Sequence, residues 1–401
     1  MEKFPQWSSG AVLATLQSAC SDCSGEAVGE RKDNRESPGM VTMEQLFPLR
    51  LKRIIKGILY PSLFALGVFD RLIEKHHHDK VVVLWGHRIY RGDVCEERAA
   101  PLSFEEGITQ PYFERLMRFL REKMHPVSLE EIVSFVAGEK RIPDRAVSVT
   151  MDDGYMDNYL NAFPILKQYQ IPATIFLTTG YTNTDSIYWW DLIGEILKRT
   201  KIKKLEMREI KILLDGKGGW LPDIVPLNTL NRRNAAWEGL TLALRSCGAA
   251  QISKVIELME DRLEVDSDAY KRLHSLLTWS QIREMSRNGI EFGAHTVSHP
   301  LLSTLTSDQL VKELLLSKEA IEEQIGKPVI SFAHPYGDDR APGSDLPKTL
   351  AQCGFQCAFT VENGQVDAGS NPFALKRVGI ENSSVGIMVN ELVETVKNGT
   401  N

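Results

Sequence analysis

Arg145-Ala-Val-Ser-Val-Thr-Met-Asp-Asp-Gly154 is a β-branched, apolar run that stops in two carboxylates and a glycine. A short run of this composition suits a strand buried on both faces, and parallel α/β folds expose their catalytic groups where such strands end. Adjacent strand residues point to opposite sides. Asp152 and Asp153 therefore serve one site only if the chain turns at Gly154, where the backbone is freest. A plain acidic turn is the alternative reading of the same residues.

Outward from this stretch, strands and helices alternate. Val81-Val-Val-Leu-Trp85 reads as a buried strand, and residues 109–123 as a helix with Phe113, Leu116, Met117 and Leu120 at helical spacing. Phe163 to Tyr169 continues a helix and Ala173 to Leu177 gives another strand. The rhythm breaks over residues 183–278, which hold Trp189-Trp190, a Lys-rich stretch at Lys201 to Lys204, the turn-like Asp215-Gly-Lys-Gly-Gly219 and Leu-rich helical segments. This part is read as an insertion, a lid or substrate-facing subdomain. Alternation resumes with a helix from Ser280 to Arg287, a strand at Ile290 to Ala294, a helix around Ser307 to Ile325, and strands near Ile330 and Ala358. The pattern predicts an α/β fold over 80–182 and 279–385, a parallel sheet under helices, closed or nearly closed as a barrel.

Upstream, residues 1–42 are rich in Ser, Gly and charge and are expected to be disordered. Met43 opens a different segment and is read as a candidate true start. Within 43–79, residues 46–73 carry a basic stretch followed by an apolar one interrupted by Pro61. Two readings stay open for it: a helix packed on the main domain, or an interfacial helix giving peripheral membrane contact. His76 to His78 are taken as a solvated linker.

Of the 401 residues, 43% are hydrophobic, enough to bury a large core, and the net charge of −6 offers no electrostatic footprint for nucleic acid. The six cysteines are scattered, and Cys20 and Cys23 form a C-x-x-C without a second pair. Reduced thiols in the cytoplasm, with membrane association left open, are the simpler reading. No apolar run reaches the ~18 residues of a spanning helix, and no secretory leader is expected.

A second constellation lies in Gly293-Ala-His-Thr-Val-Ser-His-Pro300. Positions four apart share a face in one helical turn, so His295 and His299 can reach one ion. Two imidazoles with a carboxylate leave coordination positions open for water, as metal-assisted hydrolysis needs. Surface decoration is the alternative for the histidine pair alone.

Taken in order, these motifs resemble those of the polysaccharide deacetylases, the NodB-homology group or carbohydrate esterase family 4, in its exopolysaccharide-type branch. Thr150-Met-Asp-Asp-Gly154 resembles T-F-D-D-G, and His295-Thr-Val-Ser-His299 matches H-[ST]-x-x-H. Phe332-Ala-His-Pro-Tyr-Gly337 resembles F-R-P-P-Y-G or F-A-Y-P-Y-G, and Trp85-Gly-His-Arg-Ile89 resembles Y-H-R-[VI]. The resemblance covers about residues 80–182 and 279–380. It implies a distorted (β/α) barrel and hydrolysis of N-acetyl groups from a saccharide, with no nucleic-acid partner. It further implies that Asp153, His295 and His299 hold a divalent metal, usually zinc, that Asp152 is the general base, and that the Tyr336 backbone N–H meets the oxyanion. Gly337 allows the close backbone approach.

Two departures matter. Ala333 stands where the family has the arginine that orients the base, and no histidine after His334 replaces the late proton donor. Arg377 is a candidate substitute, since a guanidinium pairs bidentately with a carboxylate; a surface charge is the alternative. His87 and His334 are the candidate acids, or else buried structural histidines. Trp189 and Trp190 stack on sugar or fill the insertion's core, and His125 and His274 are read as surface groups. A catalytically silent glycan-binding module and a deacylase or deformylase of another amino sugar are the rival functions.

Overall fold

The computed structural model describes residues 78–92, 107–340 and 345–380. The readings for 1–42 and 46–73, and Cys20 and Cys23, fall outside these residues.

Seven strands build the centre: β1 (Lys80–Gly86), β2 (Ala146–Met151), β3 (Ala173–Leu177), β4 (Glu291–Ala294), β5 (Ser331–Ala333), β6 (Cys357–Asn363) and β7 (Leu375–Gly379). Each pairs in parallel with the next in sequence, and β7 returns to pair with β1, so the sheet closes into a seven-stranded parallel barrel. Closure leaves no edge among these strands. The β1–β2 register, Val81 opposite Ala146 through Gly86 opposite Met151, brings both strand ends to one rim. Short pieces extend the sheet outside the ring: His125–Pro126 on β2 and Val366–Asp367 antiparallel on β1.

Alternation along the strands sorts side chains into two cores. Val81, Val83, Ala146, Phe176, Ala333, Phe359 and Leu375 form one buried cluster with Leu129, Ile132 and Phe135. Val82, Leu84, Val147, Val149, Ile175, Phe332 and Val378 form another with the surrounding helices. The helices are α1 (Gln110–Lys123), α2 (Leu129–Val136), α3 (Phe163–Tyr169), α4 (Trp189–Arg199), α5 (Arg208–Leu213), α6 (Leu230–Leu244), α7 (Ala249–Leu263), α8 (Trp279–Arg287), α9 (Ser307–Ile325) and α10 (Leu346–Gln352). In α1, Phe113, Leu116, Met117 and Leu120 are all fully buried, each worth roughly 1.5–3 kcal/mol relative to exposure. Capping boxes start α2 (Ser128 with Glu131), α8 (Thr278 with Gln281) and α9 (Thr306 with Gln309).

Between β3 and α8, helices α4 to α7 and the antiparallel pair Lys204–Glu206 with Ile224–Pro226 enclose a separate core that includes Ile196, Leu205, Ile210, Leu240, Val255 and Met259. Among the described residues no helix is long and apolar enough to cross a membrane.

Candidate active site

The inward positions of β2 run Ser148, Thr150 and on to Asp152, and those of β7 run Leu375 and Arg377. Arg377 is fully buried. Its Nη1 donates to Asp152 Oδ1 at 2.8 Å and its Nη2 to Oδ2 at 2.7 Å. Nε donates to the Thr360 carbonyl at 2.8 Å, and Nη1 also reaches Thr150 Oγ1 at 3.3 Å. The rings of Trp85, Phe176 and Phe359 surround the guanidinium, with Trp85 closest at 5.0 Å. Burial by itself would raise the Asp152 carboxyl; the Arg377 charge and hydrogen bonds outweigh it and hold the pKa at about 2. Asp152 is thus ionised at neutral pH, and Arg377 is not a surface charge.

Asp153 makes the turn that the sequence assigned to Gly154. Its backbone is left-handed at φ 73°, followed by Gly154 at φ 70°, so the reversal begins one residue earlier. A non-glycine residue there is strained. The Tyr188 hydroxyl braces it, donating to the Asp153 carbonyl at 2.8 Å.

His295 and His299 flank a loop, not the helical turn that their spacing suggested. Thr296 (φ 68°) and His299 (φ 56°) are left-handed, and this folding brings the two Nε2 atoms within 3.1 Å. Each Nε2 lies 3.5 Å from Asp153 Oδ1. Glu313 of α9 ties the loop down from outside: Oε2 accepts from the Val297 and Ser298 N–H groups at 2.7 and 2.9 Å, and Oε1 from Ser298 Oγ at 2.6 Å.

The donor set fits a divalent metal. Ligand atoms of Asp153, His295 and His299 lie within 4.8 Å of one another, and all three residues are buried. His295 Nδ1 donates to the Ala333 carbonyl at 2.7 Å, which leaves the Nε2 lone pair facing the cluster. Burial lowers the His295 pKa to about 4 and that of His299 well below its ordinary value, so both rings are neutral and free of a competing proton on the lone pair a metal would need. Two lone pairs and a carboxylate oxygen this close repel unless a cation lies between them. One carboxylate and two imidazoles suit zinc or a similar ion.

The remaining candidates separate. His87, half-buried and edge-on to Trp85 at 5.2 Å, lies close enough to Asp152, His295 and His299 for its charge to act on all three. His334 lies with Phe332, their rings 5.3 Å apart, and its Nε2 donates to the Phe373 carbonyl at 3.0 Å. The neighbouring Ala333, not His334, belongs to the inner cluster. Tyr336 follows β5 in a left-handed conformation (φ 57°), its ring 4.6 Å from that of His299. A Cβ on Gly337 (φ +67°) would come within 2.2 Å of Val361.

Other groups enter from segments that the sequence left undecided. Trp189 packs on the insertion's core. Trp190 stacks on Tyr188 at 4.3 Å and lies 4.8 Å from the His299 ring. His274 corrects the surface reading: it is 1% exposed and contacts Arg88, Asp191 and Glu195. Its flanking polar residues hid this. His125 is exposed, as expected. No local signal distinguished Glu313 from the other acids of an amphipathic helix.

Comparison with known proteins adds a family. The family model described as polysaccharide deacetylase matches residues 139–203 and 256–358, leaving out most of the insertion. A putative polysaccharide deacetylase of Bacillus subtilis is 21% identical over 71% of this chain and 70% of its own. A poly-β-1,6-N-acetyl-D-glucosamine N-deacetylase of Staphylococcus epidermidis is 23% identical over 63% of this chain and 84% of its own. Among solved structures, a Streptococcus pyogenes deacetylase in complex with acetate overlays with a TM-score of 0.49 at 19% identity, over 79% of this chain and 98% of its own.

Proposed function

We propose that this chain, which belongs to the polysaccharide deacetylase family of hydrolases acting on non-peptide carbon–nitrogen bonds, removes N-acetyl groups from amino sugars of a polysaccharide or saccharide precursor. One observation carries the reading: an ionised carboxylate, Asp152, gripped on both oxygens by Arg377, stands beside the Asp153–His295–His299 cluster. The relative named a poly-β-1,6-N-acetyl-D-glucosamine N-deacetylase supports a β-linked N-acetylglucosamine polymer as substrate class.

Asp153, His295 and His299 would hold the metal, zinc suiting the donors best. When bound, it supplies Lewis acidity towards the acetamide carbonyl and a water molecule. Asp152 orients the attacking water and takes its proton. With a pKa of about 2 it is a weak base, so Arg377 keeps it aimed and charged instead of making it more basic. The Tyr336 backbone N–H meets the developing oxyanion. His87, half-buried and edge-on to Trp85, donates the proton to the leaving amine. Trp190 and Tyr336 form an aromatic wall for the sugar ring.

Acetate release from N-acetylglucosamine oligomers, with zinc loaded, tests the assignment. Asp152→Asn is expected to lower kcat by about 100-fold or more; full activity in that variant refutes the assigned base. Matched N-formyl oligomers test the deformylase alternative. Oligomer binding without acetate release would favour the silent glycan-binding module, a reading that loses one motive now that Arg377 stands in for the missing arginine.

A further inference from the structure

We propose that His274 is a positioning residue that couples two segments beside the Asp153–His295–His299 cluster, the strand-end segment bearing His87 and the start of α4 bearing Trp190. The inference deepens the deacetylase reading and rests on it.

One arm runs to His87. Arg88, next in the chain, places Nη1 2.9 Å from His274 Nδ1, donates through Nη2 to the Leu273 carbonyl at 2.9 Å, and pairs through Nε with Asp157 at 2.8 Å. Asp157 Oδ1 in turn accepts from the Ile89 N–H at 3.1 Å, and Asn158 Nδ2 donates to the His87 carbonyl at 2.8 Å. His87 is therefore bracketed by the network.

The other arm runs to Trp190. His274 lies 3.3 Å from Asp191 Oδ1 and 3.1 Å from Glu195 Oε1, both on α4. Asp191 Oδ2 accepts from the Tyr155 hydroxyl at 3.0 Å, and that hydroxyl accepts from Trp190 Nε1 at 3.2 Å. Trp190 stacks on Tyr188, which braces Asp153. His274 belongs to the far end of the insertion, so the same ring also pins the insertion to the barrel.

Arg88, Asp157, Asp191, Glu195 and His274 are all buried. Charges taken out of water gain little stability over well-packed apolar groups, and a fixed geometry is what they provide instead. The neutral ring accepts from Arg88 at Nδ1 and donates to Glu195 from Nε2; the protonated ring donates to Asp191 and Glu195. Burial favours loss of the proton, but the carboxylates outweigh it and raise the His274 pKa. Only the neutral ring joins both arms through its own nitrogens; with the ring protonated, Arg88 stays tied to this segment through the Leu273 carbonyl alone.

The test uses the full chain with zinc and N-acetylglucosamine oligomers, measuring kcat, KM, zinc affinity by chelator competition, and Tm. Well below its Tm, His274→Ala is expected to raise KM about tenfold and lower kcat several-fold, with zinc affinity changed far less, because Tyr188 keeps its own hydrogen bond to Asp153. His274→Gln is expected to recover most of the loss, since its amide accepts from Arg88 and donates to Glu195. Tyr155→Phe breaks only the Trp190 arm and is expected to raise KM alone. Wild-type kcat and KM in a folded His274→Ala protein overturn the proposal, as does an unchanged KM in Tyr155→Phe, which decides the matter if His274→Ala does not fold. If the wild-type chain binds oligomers but releases no acetate, the deacetylase reading fails separately. Oligomer Kd in the same variants then decides the coupling, weaker binding supporting it and unchanged binding overturning it.

Discussion

Arg377 and Asp152 lie 225 positions apart in the chain yet meet as a two-pronged pair at 2.8 and 2.7 Å inside the barrel. The last strand carries the partner that the third motif lacks at Ala333. Because the pair is buried, removing one member leaves an uncompensated charge. Arg377→Met is expected to cost about 3–5 kcal/mol of stability, read as a fall in the urea midpoint. Arg377→Lys keeps the charge but loses the fork, so kcat/KM should fall by about tenfold or more with a smaller stability change.

The same pair gives a pH signature. The Asp152 pKa is depressed from 3.8 to about 2 in the folded chain. The carboxylate's stabilisation is therefore complete above the unfolded value and is lost as pH falls through the folded one. A loss on the order of 2 kcal/mol is expected over that interval. Urea unfolding at stepped pH checks it: the wild type should lose its advantage over Asp152→Asn as pH falls from about 4 to about 2, the interval between the unfolded and folded pKa.

Metal loading should register in stability. If Asp153, His295 and His299 hold zinc, free zinc at 100 times its Kd stabilises the fold by about 2.7 kcal/mol, visible as a rise in Tm that a chelator reverses. His295→Ala and His299→Ala should abolish that rise, whereas Asp152→Asn should keep it. A zinc response retained in both histidine variants would count against the triad.

Glu313 offers a test of the loop between the histidines. Its carboxylate accepts three hydrogen bonds from Val297 and Ser298 and so restrains the left-handed residues Thr296 and His299. Glu313→Ala is expected to weaken zinc affinity about 10–100-fold, measured by chelator competition. Glu313→Gln, which can still accept from both N–H groups, should recover most of it.

Sequence by itself determined the strand ends and the residue types placed there. The β-branched run before Asp152, the alternation on either side of it and the spacing of His295 and His299 are local patterns, since side-chain period and turn chemistry act over a few residues. Even so, the left-handed turn at Asp153 and the loop form of the histidine segment escaped local rules, because surrounding contacts hold those strained backbones. Only the tertiary structure decided which distant groups complete the site. Barrel closure sets β7 against β1 and decides between the two readings of Arg377, making it the partner of Asp152. Docking of α4 and His274 separates Trp190 from Trp189. Burial chooses among residues of one type, and burial is a property of the packed whole, so Glu313 and His274 carried no mark in the chain, and Arg377 was one candidate set beside a surface-charge reading.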